Sequence, residues 1–191
     1  MQGQRPTRSI AAVALTATAL IVGIAGPSSG AAPTTRTITF TSPFNDEGTR
    51  VSGLGACGVA RPGVCDVRFE GVGTFTGALS TFADYFGYIH FDPGTRELGA
   101  ESWDHHTGRL QGCGEGSFVM HQTDFDGDYE SVDPVAGTMK FTLKWAILPG
   151  SGTGAFTGAS GSGVALGTLR PDFSNSGYYK GSITCRTGHR S

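Results

Sequence analysis

The sequence predicts an all-β domain, on three observations. Glycine makes up 31 of the 191 residues, roughly twice its usual share of about 7%. No window longer than two helical turns keeps apolar residues at the spacing that an amphipathic helix requires. Segments in which apolar and polar residues alternate do recur, rich in Thr and aromatic residues and separated by Gly, Pro, Asp and Asn. Short connections between such segments favour antiparallel neighbours.

About eight segments have this strand pattern. A long loop is expected after the first strand, at Pro43–Val64. Thr81–Asp92 is aromatic on both faces, so its inward face cannot be assigned, and Ala155–Leu169 is interrupted by glycines. The predicted strands are Thr35–Ser42, Asp66–Thr76, Thr81–Asp92, Glu97–His106, Gly114–Thr123, Gly137–Leu148, Ala155–Leu169 and Gly177–Cys185.

A short motif of two glycines and a phenylalanine occurs three times. Gly71–Ala78 (GVGTFTGA) returns almost unchanged at Gly152–Ala159 (GTGAFTGA), and the core G-x-G-x-F occurs again at Gly114–Phe118. In a strand, this spacing puts both glycines and the Phe on one face. Paired glycines are typical of points where a small barrel turns a corner, and the Phe can cover the hole that they leave.

The first residues have the layout of a secretory signal peptide. Arg5 and Arg8 precede an uncharged apolar run at 10–24, which is short for a bilayer span, and small residues follow at 28–32. We therefore predict cleavage after Ala31, with Ala32 as the other choice and an uncleaved anchor as the alternative reading. Residues 32–191 are then one exported domain, with no membrane association after cleavage.

Composition and cysteine count narrow the function classes. The formal net charge is −2 with no basic cluster, which argues against nucleic acid as a partner. All four cysteines follow the predicted cleavage site, and an even count in an exported chain predicts two disulfides. Cys57–Cys65 closes a short Gly/Pro-rich loop and leaves Cys113–Cys185, although the other two connectivities remain open.

Cofactor and metal motifs are weak. The glycine-rich segment Pro149–Gly154 lacks the Lys and the helix of a phosphate-binding loop, so no cofactor is expected. Carboxylates at 124–133 do not fit the EF-hand template, and a solvated loop is the main reading. Weak metal candidates are Asp124, Asp126 and Asp128 for calcium, and some mixture of His90, His105, His106 and His121 for another ion.

Three segments carry a family resemblance: GEGSFVMHQ at 114–122, ILPGSGTGAFTGASGSG at 147–163 and GYYKGSITC at 177–185. They resemble a bacterial family of unknown function whose members are similar to the allene oxide cyclase barrel. The resemblance covers roughly 67–185 and implies a single closed antiparallel β-barrel of about eight strands, distantly like the calycins and lipocalins. It transfers no catalytic residues, and fold likeness alone is weak evidence of function.

These observations predict a secreted barrel that binds a small apolar molecule in its lumen. The alternatives are a cofactor-free cyclase or isomerase and a structural or surface-interaction protein without a ligand. The ligand-lining candidates are Tyr85, Tyr88, His90, Trp103 and Phe118. For an enzyme, the general acid or base candidates are His90, Glu101, His121 and Tyr88.

Overall fold

The chain forms a closed antiparallel barrel in which each strand pairs with its sequence neighbours and the last strand pairs with the first. A computed structural model describes residues 34–52, 65–92, 97–127 and 138–187. The strands are β1 (Thr34–Ser52), β2 (Cys65–Phe75), β3 (Leu79–Asp92), β4 (Glu97–Leu110), β5 (Gly114–Gly127), β6 (Met139–Ile147), β7 (Ser160–Leu169) and β8 (Asn175–Thr187). The predicted fold class is confirmed.

The first strand is longer than the sequence predicts. Pro43 and the polar residues after it indicate a loop, yet β1 pairs with β8 without interruption from Thr34 opposite Thr187 to Asp46 opposite Asn175. Pro43 has no N–H to donate, but its carbonyl accepts a hydrogen bond of 3.0 Å from the amide of Thr76. The predicted loop at Pro43–Val64 is therefore wrong for residues 43–52.

The seventh strand is shorter than predicted. Gly154–Phe156 forms a 3-10 turn, and β7 begins only at Ser160. The second copy of the repeated motif is thus a turn and not a strand. Gly154 has a φ of +56°, and a side chain there would meet the carbonyl of Glu115, so both conformation and space require glycine.

The segment between β6 and β7 closes one end of the barrel. The Thr153 amide donates to the Ser117 carbonyl at 2.8 Å, and Ser151 Oγ accepts from the Val119 amide at 3.0 Å. These bonds seat Phe156 on the ring of Phe118, with centroids 4.6 Å apart. We call the buried cluster around them the closed end; it contains Leu79, Leu110, Phe118, Phe156 and Ile183.

A disulfide bond joins Cys113 to Cys185, across 72 residues of sequence. It ties the β4–β5 turn to β8, and Cys185 is buried. This is one of the pairings predicted from the sequence. The other predicted pair, Cys57–Cys65, and the predicted signal peptide at 1–31 lie outside the residues described, and both stay predictions. In the described ranges, no helix is long and apolar enough to cross a bilayer.

Candidate functional site

The opposite end of the barrel contains a cavity of about 420 Å³. We call this the open end; strands β1, β3, β5 and β7 end there, and the described β7–β8 turn borders it. Most of the wall is apolar, because inward positions of these strands carry aliphatic and aromatic side chains. The apolar lining residues are Phe44, Val67, Phe69, Ile89, Ala100, Phe125, Met139, Phe141, Leu143, Leu169 and Phe173.

A buried carboxyl group, that of Asp104, organises the polar part of the cavity. Ser102 Oγ donates to Asp104 Oδ1 at 3.1 Å, and the Tyr179 hydroxyl donates to Asp104 Oδ2 at 3.3 Å. Gln122 Nε2 donates to Asp104 Oδ2 and to the Tyr179 oxygen. Three neutral side chains from β4, β5 and β8 therefore surround one carboxyl group at the cavity wall.

A second carboxyl group, that of Asp46 on β1, lines the same cavity. Its carboxyl lies against Gly73, where any Cβ would overlap it. Gly73, in the first copy of the repeated motif, thus leaves room for the carboxyl group of Asp46. The sequence had predicted that the Phe of the motif would fill this space. The side chain of Asn175, its register partner on β8, hydrogen-bonds Asp46.

Burial changes the proton affinity of both acids. Burial, with the nearby charge of Asp104, raises the pKa of Asp46 to about 8. Burial also raises the pKa of Asp104 to about 7, against the hydrogen bonds from Ser102 and Tyr179, which lower it. The pair therefore exchanges protons near neutral pH, which ordinary exposed carboxyl groups do not.

Two tyrosines complete the polar lining. Tyr85 on β3 lies over Gly71, and its hydroxyl is 2.6 Å from the Thr49 hydroxyl. Burial, followed by the charges of the two aspartates, raises the pKa of Tyr85 and of Tyr179. Both phenols therefore stay protonated at neutral pH and act as hydrogen-bond groups.

The structure separates the predicted ligand-lining residues. Tyr85 lines the cavity. Phe118 is inside the barrel but belongs to the closed end, 1% exposed and away from the cavity lining. Tyr88, His90 and Trp103 belong to the outward faces of β3 and β4, because the neighbouring Ile89 and Ser102 point inward.

The candidate acids and bases lie mainly on the outer face. Glu101 borders the cavity, but its carboxylate pairs with His121 Nε2 at 2.6 Å, and both side chains are partly exposed. The His121 ring stacks on Trp103, which stacks in turn on Phe86. Tyr88 and His90 share the outward face of β3 with Phe86. Of these four residues Glu101 alone is in the cavity lining, so they do not converge on the cavity.

The weak metal candidates are dispersed. Asp124 pairs with Lys144 at 3.0 Å, Asp126 is exposed, and Asp128 lies outside the described residues. His106 is buried in the closed end with Nδ1 2.9 Å from Thr81 Oγ1, and burial lowers its pKa to about 3, so it is neutral. His105 is exposed on the opposite face of β4. Among the described residues, no three His, Cys, Asp or Glu side chains form a metal cluster.

Sequence reasoning missed the residues that give the cavity its chemistry. Asp46 fell in the predicted loop, so no face could be assigned to it. Asp104, Gln122 and Tyr179 lie in predicted strands, at alternate positions with inward neighbours such as Ser102. Strand alternation would have placed Ser102, Asp104 and His106 on one face, which is the signal that could have found Asp104.

Comparisons with known proteins support the fold. A crystal structure of a protein of unknown function from the DUF3224 family of Shewanella oneidensis MR-1 is similar to this chain, with a TM-score of 0.53 and 20% sequence identity. The match covers 78% of this chain and 97% of that one. No protein-family model and no curated protein matches the chain. The chain is therefore similar in fold to a β-barrel protein of unknown function, and that likeness brings no activity with it.

Proposed function

We propose that the barrel binds one small, mostly apolar molecule in its lumen. The observation that carries this proposal is the cavity of about 420 Å³ at the open end, with a largely apolar wall. Small-molecule sites in proteins are concave and mostly apolar, with a few placed polar groups. Eight-stranded barrels are wide enough to hold one small ligand where side chains leave the interior unfilled.

The contrast with the closed end supports this reading. There Phe156 and Phe118 fill the interior, and both are essentially inaccessible. At the open end, the glycines of β2 accommodate Tyr85 and Asp46 close to the wall. Side chains are thus held against the barrel wall, and the space at its centre stays free.

Native mass spectrometry of the protein, purified from the organism that makes it, tests the proposal. We expect an added mass of a few hundred daltons that disappears on denaturation. The same measurement on Ala100→Phe, which places a ring inside the cavity beside Ile89, should lose that added mass. Ala146→Phe is the matched control, because Ala146 is exposed on the outer face of β6. Ligand retained by Ala100→Phe and lost by Ala146→Phe would contradict lumenal binding.

A second candidate function is a cofactor-free isomerase or cyclase. Asp46 and Asp104 favour it, because a general acid or base works best with a pKa near the working pH. In such an enzyme Asp46 and Asp104 would be the general acid and base, instead of the residues predicted from the sequence. Incubating the ligand-free protein with the recovered ligand tests it: an isomer of unchanged mass, formed by the protein and not by Asp46→Asn, supports an enzyme.

We also propose that the protein works outside the cytoplasm. The signal-peptide layout of residues 1–31 supports export, and the Cys113–Cys185 disulfide fits an oxidising compartment. The intact mass of the protein in culture supernatant tests this, because cleavage after Ala31 or Ala32 fixes the first residue.

A further inference from the structure

We propose that the lumenal ligand is an amphiphile with a cationic amine at one end, held between the carboxylates of Asp46 and Asp104. This inference rests on the proposed function, since it assigns a chemical class to the molecule in the same cavity. It depends on three observations: the donors around Asp104, the serine hydroxyls that engage Arg170, the basic residue of the described lining, and the apolar wall opposite.

The hydrogen bonds of Asp104 suit its ionised form. An ionised carboxylate only accepts hydrogen bonds, whereas a protonated one must also donate. Asp104 receives bonds from the Ser102 hydroxyl, the Tyr179 hydroxyl and the Gln122 amide. All three are donors to the acid, and they come from three different strands. The site is therefore arranged around a negative charge, although burial opposes that charge.

No described lining residue offers these acids a cation. Arg170 is the basic residue among them, and its guanidinium bonds the hydroxyls of Ser174 in the β7–β8 turn and of Ser176 at the start of β8. The described inward faces of β2, β5, β6 and β7 bring no titratable group to the cavity. The titratable groups near the pair are the inward Tyr85 of β3 and Tyr179 of β8, the bordering Glu101, the neutral His106 in the closed end, and Asp84 on the outer face of β3.

A protonated amine would supply the missing charge. A buried carboxylate without a partner is costly, and a paired, hydrogen-bonded one is much less so. An ammonium group has three donors and no acceptor, which complements two carboxylates. The aromatic rings of Phe44 and Tyr179 border the same space, 5.1 Å apart in an edge arrangement, and ring faces also attract cations. The apolar wall then contacts the remainder of the molecule.

The pH dependence follows from the same groups. Lowering the pH protonates Asp46 and Asp104 and removes the negative charge, whereas an alkylamine keeps its proton up to about pH 10. Amine affinity should therefore rise from pH 6 to pH 8.5. A neutral alcohol of equal chain length should show little change, and a carboxylate should bind more weakly as the pH rises.

Octylamine, octanol and octanoate form the matched probe set, measured by calorimetry on the ligand-free protein. At pH 8.5 we expect octylamine to bind about tenfold more tightly than octanol, and at pH 6 the ratio should fall towards one. Asp104→Asn and Asp46→Asn should lose the amine preference, so their octylamine-to-octanol affinity ratio at pH 8.5 should fall towards one. Asp126→Asn, which replaces an exposed acid on the outer face of β5, should keep the ratio of the natural protein. Asp104→Asn removes the centre of a buried hydrogen-bond network. If that variant does not fold, the result for Asp46→Asn decides the test.

The outcomes separate this inference from the proposed function. Octanol binding without any amine preference at pH 8.5, or tightest binding of octanoate, overturns the cationic ligand and leaves lumenal binding intact. An amine preference that persists in Asp46→Asn and Asp104→Asn also overturns it. If none of the three probes binds and native mass spectrometry finds no bound molecule, the proposed function itself fails.

Discussion

The two ends of the barrel are built from the same eight strands and differ in what fills them. At the closed end Leu79, Leu110 and Phe156 have no exposed surface, and Phe156, from the β6–β7 segment, lies on the ring of Phe118. At the open end the inward residues of β6, such as Phe141 and Leu143, keep 8% exposure and face a cavity. The buried carboxyl groups also lie at the open end. The packed cluster that stabilises the fold and the cavity that we propose binds a ligand therefore lie at opposite ends of the barrel.

The largest expected effect is at the closed end. Phe156→Ala should lower the free energy of unfolding by about 3–5 kcal/mol, because it empties the space over Phe118 in a fully buried cluster. Urea denaturation measures the change. Phe173→Ala is the control at the cavity mouth, where the ring is 37% exposed, and it should cost much less. If both variants lost the same amount of unfolding free energy, the closed end would not be the more stabilising end of the barrel.

The disulfide comes next. Replacing Cys113 and Cys185 together with Ala should cost about 4 kcal/mol, since the bond closes a long loop of 72 residues in the unfolded chain. The double variant and the oxidised protein should be compared by urea denaturation without reductant. An unchanged urea midpoint would mean that side-chain packing at the closed end holds the β4–β5 turn to β8 without help from the disulfide.

The acids of the open end should make stability fall as the pH rises. The folded-state pKa of Asp46, about 8, lies above its ordinary value of 3.8, so the folded state binds more protons in between. The contribution is fully present below about pH 4 and is lost as the pH rises through 8. From pH 5 to 7 we expect a loss of about 1 kcal/mol per pH unit.

Asp46→Asn removes that titrating group, so it should make the pH profile of the unfolding free energy less steep, with the contribution of Asp104 remaining, and be more stable than the natural protein at pH 8. Asp126→Asn should follow the natural profile. Parallel profiles for the natural protein and Asp46→Asn would contradict the raised pKa.

The smallest effect on stability is expected at Gly73, and this variant tests the position of the Asp46 carboxyl. Gly73→Ala places a Cβ against the Asp46 carboxyl, whose free end can turn aside, so we expect a stability change below about 1 kcal/mol. The octylamine-to-octanol affinity ratio should nevertheless fall several-fold. Gly99→Ala, where an added Cβ meets nothing within 4 Å, is the matched control on β4. An unchanged ratio in Gly73→Ala would place the amine contact elsewhere.

Much of the fold could be predicted from the sequence, because strand alternation and turn residues are local signals. Each of the eight described strands overlaps a predicted one, but strand ends depend on the partner strand. Pro43 indicates a loop locally, and pairing with β8, and with β2 from Phe44 onwards, keeps residues 43–46 extended. Gly152 and Gly154 fit a strand pattern, and only the close approach of Gly154 to Glu115 and Gly116 and of Gly152 to Phe156 shows why they form a turn.

The cavity could not be predicted in the same way. Tyr85 was identified as a lining candidate, but Thr81–Asp92 has aromatic residues on both faces, and only barrel closure decides that Phe86 and Tyr88 point outward. The acid pair is formed by residues 58 positions apart in sequence, on strands that are not neighbours in the barrel order. No local pattern brings such residues together.

The neighbour-by-neighbour strand order has a consequence for how the chain folds. Seven of the eight pairings join adjacent strands and can form as local hairpins, whereas β1 and β8 pair across about 150 residues. Loop-closure entropy places that pairing late. Until it forms, β1 and β8 are open edges that can pair with other chains. Asp46 and Asn175 meet across this same seam, so the proposed binding site is complete only when the barrel closes.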